Sequence, residues 1–254
     1  MKLLRFKTGE VEKKGVLVDG KIRRVLGTFF DNFTVTDEIY EIDEVHFLPP
    51  VIPSKIVCIG RNYADHAKEL GNEVPTEPLI FLKPNSAINN HEGLIIYPEQ
   101  SNRVDYEAEL AIVIKKRCKS VSEEDALDYV LGYTCFNDIT ARDIQKKEGK
   151  FTRAKSFDTF APFGPFIETE FESFDNLSVK SFVNGEIRQD GNTKDMIFKV
   201  PQLISFISKV MTLYPGDVIA TGTPEGVGEL KPGDVVEVEV EGVGRLRNYV
   251  TKEN

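Results

Sequence analysis

Several large classes of protein are excluded by what this chain has little of. It carries three cysteines, Cys58, Cys118 and Cys135, an odd number with no Cys-x-x-Cys pair. That count argues against a disulfide framework, and Cys58 and Cys135 sit in apolar strand-like runs, as buried free thiols do in a reducing compartment. No basic run is longer than Lys115-Lys116-Arg117, and 32 Lys+Arg against 41 Asp+Glu leave a formal net charge of −9. Phosphate contacts supply most nucleic-acid affinity, so a nucleic-acid partner is not expected. No stretch approaches membrane-spanning length, and Met1-Lys2-Leu3-Leu4-Arg5-Phe6-Lys7 lacks the apolar core of a signal peptide. The expectation is a soluble, cytoplasmic protein without a membrane partner.

What is present is enough chain, 254 residues, for one large unit with a small appendage. Residues 1–50 read as a small N-terminal β unit, with strands at Leu3 to Phe6, Gly15 to Val18 and Lys21 to Leu26 and a hairpin turn at Asp19-Gly20. The proline-dense run Phe47-Leu48-Pro49-Pro50-Val51-Ile52-Pro53 reads as a stiff connector. Residues 51–254 read as a second, catalytic unit, mainly β with peripheral helices. Its expected helices are Tyr63 to Leu70, Glu123 to Val130, Thr140 to Glu148 and Pro201 to Met211. Asn184-Gly185 predicts another hairpin.

The most informative segment is Val104-Asp105-Tyr106-Glu107-Ala108-Glu109-Leu110-Ala111-Ile112-Val113-Ile114. Read as one strand, it places Asp105, Glu107 and Glu109 on one face and then becomes wholly apolar, which argues for burial on both sides. Carboxylates beside such a run need a cation or hydrogen bonds, and hard oxygen ligands favour magnesium, calcium or manganese. An edge strand with a solvated acidic face accounts for the segment equally well. Asp138, at the end of the apolar run Tyr133 to Asn137, is either a further ligand or a helix cap.

Further candidates follow from spacing. Arg142 and Gln145 are three apart on a helix and share a face that suits a substrate carboxylate; the alternative is a surface arginine. His66 and Glu69 are likewise three apart, so the carboxylate can orient the imidazole as a general base requires. A surface histidine is the plain alternative. Lys155 lies between aromatic residues, as a fixed charge near an enolate or as a solvated lysine. Thr221-Gly222-Thr223-Pro224 is a glycine-containing turn after a strand, able to present donors to an anion but not a P-loop. His91 reads as a turn residue.

Taken in order, Tyr63-x-x-His66-x-x-Glu69, Phe81-Leu82-Lys83-Pro84, Glu107-x-Glu109, Asp138-x-x-x-Arg142-Asp143-x-Gln145, Ala154-Lys155-Ser156-Phe157 and Thr221-Gly222-Thr223-Pro224 closely resemble the fumarylacetoacetate hydrolase family. The nearest likeness is to its small acylpyruvase, oxaloacetate decarboxylase and hydroxyhepta-diene-dioate isomerase members. The resemblance implies a mixed β-roll fold, a homodimer, and Mg2+ (with Mn2+ or Ca2+ as substitutes) held by Glu107, Glu109 and Asp138. It implies His66 and Glu69 as an acid/base dyad on a lid segment, and Arg142, Gln145, Lys155 and Thr223 as contacts to a small 2-oxo acid. Lys155 would serve catalysis as well. The founding hydrolases carry a fourth acidic residue shortly before the histidine, whereas Cys58-Ile59-Gly60-Arg61-Asn62 offers none. That points away from fumarylacetoacetate as the substrate.

The activity implied is Mg2+-dependent cleavage of a carbon–carbon bond through a stabilised enolate, either acylpyruvate hydrolysis or oxaloacetate decarboxylation. Isomerisation or decarboxylation of 2-hydroxyhepta-2,4-diene-1,7-dioate uses the same apparatus. A metal-dependent nuclease is disfavoured by Glu-x-Glu and by the acidic chain. A non-catalytic β module would leave the His66/Glu69 and Asp138/Arg142/Gln145 groupings as coincidences.

Overall fold

The computed structural model describes residues 1–69 and 71–253. A large sheet runs through the molecule in the order Phe33–Glu41, Lys21–Gly27, Val11–Val18, Lys2–Thr8, Ala161–Glu168, Val130–Asn137, Ala108–Ile114, Val218–Ala220, Ile56–Gly60, Leu79–Lys83. A five-stranded sheet, ordered Glu186–Asn192, Ser178–Val183, Val235–Val240, Gly244–Lys252, Leu94–Tyr97, packs against it. Three short strands, Thr140–Ala141, Val104–Tyr106 and Gly228–Leu230, form a small third sheet. Pairings are mostly antiparallel, with parallel ones at Val218–Ala220 on Ile56–Gly60 and Gly244–Lys252 on Leu94–Tyr97. The fold is the mainly β, mixed-sheet architecture expected.

The N-terminal strands extend the large sheet, because Lys2 and Leu3 pair with Glu168 and Ile167. Both expected hairpin turns form, with positive φ at Asp19 (50°) and Gly20 (77°) and at Asn184 (54°) and Gly185 (82°), as a two-residue turn matched to strand twist requires. Strand Phe33–Glu41 was not legible in the sequence, since its residues are exposed or half-exposed and carry no buried-face signal. The three cysteines are buried and free.

Strand Ala108–Ile114 is buried along its whole length. Leu110, Ile112 and Ile114 join one apolar cluster with Val179, Val238 and the helix residues Leu203 and Ile204. Ala111 and Val113 join another with Ile56, Phe136, Phe163 and Val218. Burial on both faces explains the unbroken apolar run after Glu109. Helix Val200–Val210 matches the predicted stripe. The helix expected from Thr140 starts at Arg142, because Thr140 and Ala141 pair with Asp105 and Val104. Where a helix was expected over Glu123 to Val130, only a 3-10 turn, Ala126–Tyr129, forms. The helix expected from Tyr63 is Ala64–Glu69; its expected last residue, Leu70, lies outside the described residues. Among the described residues no helix is long and apolar enough to cross a membrane.

Candidate active site

The single strand expected over Glu107 is two strands. Val104–Tyr106 belongs to the small sheet and Ala108–Ile114 to the large one, so the chain changes sheets at Glu107. Side-chain amides take over the hydrogen bonds the ladder gives up: Glu107 N–H donates to Asn137 Oδ1 (3.0 Å) and Ala108 N–H to Gln189 Oε1 (2.9 Å). The break still leaves Glu107 and Glu109 facing one space. Asp138, one residue past strand Val130–Asn137, completes it, and carboxylate oxygens of the three lie within 4.8 Å of one another. All three are buried. Asp138 caps no helix: the residue before helix Arg142–Glu148 is Ala141, which makes no side-chain cap bond.

Cations hold this acidic floor. Lys155 Nζ donates to Glu107 Oε2 (2.8 Å) and Asp138 Oδ2 (2.6 Å), while Lys83 Nζ donates to Asp138 Oδ1 and to the carbonyl of Ile139 (3.1 Å). Arg142 Nε donates to Asp105 Oδ2 (2.8 Å), Nη1 to Gln145 Oε1 (2.5 Å), and Nη2 to Glu107 Oε1. Arg142 and Lys155 are 2% and 3% exposed, so neither is the solvated side chain that spacing alone allowed. Burial would raise the Glu107 carboxyl, but Lys155 and Arg142 hold it far below the usual range. Burial also works against charge on Lys155, yet Asp138 and Glu107 raise it to about 12.

Glu109 is different. Its carboxyl accepts at Oε2 from Gly222 N–H (2.8 Å), and no cation pairs with it among the described residues. Burial first, then the charges of Asp138 and Glu107, push its carboxyl well above the ordinary range. A buried carboxylate short of positive charge, beside two more with free lone pairs, is a donor set that fits a hard divalent cation. Gly222 is required here: at φ 100° a Cβ would sit 2.7 Å from that of Asn62. The turn expected to present donors to an anion gives its Gly222 N–H to a carboxyl of the protein's own, Glu109.

Thr223 in the same turn gives its hydroxyl proton to the Ala108 carbonyl (2.8 Å) and accepts from Gln189 Nε2 (2.7 Å). His66 stands on helix Ala64–Glu69, buried, with Nδ1 3.4 Å from Glu69 Oε2. Glu69 also accepts from Gly226 N–H (3.1 and 3.2 Å), joining the short helix to the turn that carries Thr223. Burial lowers the His66 imidazole below its ordinary value; Glu107 and Glu69 oppose this and Arg142 adds to it.

One cavity of about 250 Å3 is lined by His66, Glu107, Glu109, Asp138, Arg142, Gln145, Lys155 and Thr223, with Ile59, Phe81 and Phe151 as an apolar wall. Glu69 stands behind His66. His91 lies elsewhere, accepting from Arg247 N–H (3.0 Å). Sequence reasoning put Asp105 on one face with Glu107 and Glu109 and Lys83 in a motif of the resemblance without giving either a contact, and did not single out Gln189 or Asn137. All four position the others. A lysine closing the apolar run Leu79-Ile80-Phe81-Leu82 was the available signal for Lys83. For Gln189 and Asn137 no local signal exists, because their partners are distant in the chain.

Residues 55–251 match the family model described as fumarylacetoacetate (FAA) hydrolase, C-terminal, and residues 1–50 match one described as Rv2993c-like, N-terminal. The chain belongs to the fumarylacetoacetate hydrolase family. It is 60% identical over 201 residues to uncharacterized protein MJ1656 of Methanocaldococcus jannaschii (79% of this chain, 84% of that protein). It is 43% identical over 226 residues to oxaloacetate tautomerase YisK of Bacillus subtilis (84% and 75%). The crystal structure of 2-hydroxyhepta-2,4-diene-1,7-dioate isomerase from Mycobacterium marinum superposes with a TM-score of 0.92 at 39% identity, covering 100% of this chain and 99% of that one. Members of the family are enzymes, among them isomerases, hydrolases and oxaloacetate tautomerases.

Proposed function

We propose that this chain is an enolate-forming enzyme for small 2-oxo acids, with Glu107, Glu109 and Asp138 as ligands of a divalent cation, Mg2+ before Mn2+ or Ca2+. The observation that carries this is the convergence of three carboxylates, two buried cations and a histidine–glutamate pair on one small cavity. When bound, the cation supplies Lewis-acid stabilisation of the charge that develops on the substrate's 2-oxo oxygen.

The chain's own residues do the rest. A guanidinium has five N–H groups, so Arg142, with three engaged, keeps one on each Nη for a substrate carboxylate. Gln145 accepts from Arg142 through its carbonyl, which leaves its NH2 free to donate to the same carboxylate. Lys155 has one proton left after Glu107 and Asp138, aimed at developing enolate charge. Burial keeps His66 neutral near pH 7, and Glu69 at Nδ1 leaves Nε2 as the atom that accepts a proton. Ile59, Phe81 and Phe151 exclude water from one side.

With oxaloacetate, a proton passes from C3 to His66 Nε2, the C3–H electron pair forms the C2–C3 double bond, and the carbonyl π pair moves onto the 2-oxo oxygen. That oxygen takes a proton from solvent to complete the enol while His66 returns its own to solvent. The name of the Bacillus subtilis relative supports this tautomerisation. Carbon–carbon cleavage needs the same stabilisation for a different enolate, that of pyruvate. In acylpyruvate hydrolysis His66 takes the proton of the water that attacks the distal carbonyl, and the acyl group leaves as a carboxylic acid. In oxaloacetate decarboxylation CO2 leaves and no base is needed. The name of the Mycobacterium marinum structure supports diene-dioate isomerisation as the second reading.

The test is to follow keto–enol relaxation of oxaloacetate by absorbance, and pyruvate release from oxaloacetate and acetylpyruvate, each with Mg2+ and with chelator. Metal-dependent acceleration of any of these is expected. No acceleration of all three would sink the proposal as it concerns these substrates and move the reaction to diene-dioates.

A further inference from the structure

Four cations line the cavity, Arg61, Arg142, Lys146 and Lys155. Arg142 and Lys155 are committed to the carboxylates of the floor. Lys146 is exposed on helix Arg142–Glu148. Arg61 is half-buried and has no hydrogen bond, ion pair or ring contact among the described residues, although the cavity it lines is rich in acid.

Its backbone is unusual as well, with a left-handed φ of 55°. Residues with a Cβ avoid this region unless their surroundings enforce it, and such strain gathers where a site depends on it. Here the enforcement is visible on both sides. Gly60 pairs with Leu79 at the end of its strand. Asn62, fully buried, donates through Nδ2 to the carbonyls of Phe198 (3.0 Å) and Thr221 (2.7 Å) and accepts at Oδ1 from Phe198 N–H (2.8 Å). The molecule thus fixes the backbone of a guanidinium at the cavity and provides no anion of its own to meet it.

We infer that Arg61 is the specificity-determining residue for the far end of the substrate, binding a second carboxylate, and that the substrate class is a short 2-oxo dicarboxylic acid. The inference rests on the enolate-forming reading above. A planar carboxylate satisfies the guanidinium with paired, charge-assisted hydrogen bonds, whereas the methyl ketone of acetylpyruvate cannot. Arg142, Gln145 and Lys155 hold the 2-oxo acid head, so the unmatched cation falls to the other end. A cavity of about 250 Å3 keeps that second carboxylate within a few carbons of the first.

The experiment compares Arg61→Asn, Arg61→Lys and Lys146→Met with the unaltered enzyme on oxaloacetate and acetylpyruvate in Mg2+. Asparagine tolerates the left-handed backbone, so Arg61→Asn removes the charge and leaves the chain path. Loss of a charge-assisted hydrogen bond corresponds to a rise of about tenfold or more in KM for oxaloacetate. The expectation is that rise with little change in kcat, a small change in KM for acetylpyruvate, and an intermediate value for Arg61→Lys. Equal movement of both KM values, no movement of either, or reproduction of the effect by Lys146→Met alone overturns the inference. Should the unaltered enzyme turn over neither compound, the functional reading fails. Calorimetric Kd values for oxaloacetate and pyruvate then decide the role of Arg61 separately: a preference for oxaloacetate that Arg61→Asn abolishes supports it, and a preference that survives, or none to begin with, refutes it.

Discussion

Asp138 and Glu69 are carboxylates at opposite ends of one site, and they are held in opposite ways. Asp138, with a side chain 1% exposed, follows a strand inside the large sheet and is gripped by two buried lysines. Glu69, 33% exposed, ends a six-residue helix and reaches His66 at 3.4 Å and Gly226 N–H at 3.1 Å. A carboxylate between buried ammonium groups is fixed as the protein folds, because unpairing those groups is expensive. One held by long, solvent-accessible bonds can be repositioned when a ligand arrives. On these contacts the floor is expected to keep a constant geometry and the histidine-bearing helix to adjust.

Asp138→Ala breaks the floor most severely. It leaves Lys83 and Lys155 buried beside too little negative charge, at a cost of about 3–5 kcal/mol in urea unfolding. A loss below about 1 kcal/mol would mean that other groups neutralise the lysines. His66→Ala should leave the floor intact, including any rise in melting temperature with Mg2+, while slowing proton transfer by about 10²–10⁴-fold. Equal loss in tautomerisation and in decarboxylation, which needs no base, would give the imidazole a wider role. Gln189→Leu strands the Ala108 N–H and releases the Thr223 hydroxyl, so unfolding measurements should register about 1–3 kcal/mol. An unchanged midpoint would show that the sheet break at Glu107 closes by other means.

The smallest effect on stability is expected from Glu69→Gln, at most about 0.5 kcal/mol for so accessible a carboxylate. Its signature is in pH. On the proposed role of His66 as base, the rate should fall as pH drops through the imidazole pKa, which burial places below the ordinary 6.5. Glu69 is one of the groups raising that pKa, so its neutralisation should move the acid limb of the profile further down. A limb that moves upward would show that Glu69 does not act on His66 through its charge.

The same contrast governs what the sequence made legible. Strand and helix spacing singled out Glu107, Glu109, Arg142, Gln145 and His66. The end of a strand, an aromatic-flanked loop and a glycine-containing turn singled out Asp138, Lys155 and Thr223. That they act together was implied by the family resemblance, and the cavity gathers all eight. The continuous strand through Glu107 was the wrong local reading. Its interruption depends on Asn137 and Gln189, 30 and 81 residues away from the amides they accept. The contacts of Lys83 were hidden for a related cause: a lysine ending a strand is ordinarily solvated, and its partners Asp138 and the Ile139 carbonyl lie 55 and 56 residues on. Strand Phe33–Glu41 escaped because it buries no face, which removes the alternation by which strands are read.

Two of the proposed cation ligands flank the start of Ala108–Ile114, the strand that both large apolar clusters share. Damage there therefore reaches the living cell through protein quantity before it reaches chemistry. A destabilised floor enlarges the unfolded fraction that proteases remove, and about 1–2 kcal/mol is enough to change abundance several-fold. Substitutions of His66 or Glu69 themselves should instead leave a full complement of slow enzyme. In a survey of variants scored by growth and by protein level, the two ends of this one site would separate into depleted and intact-but-idle populations.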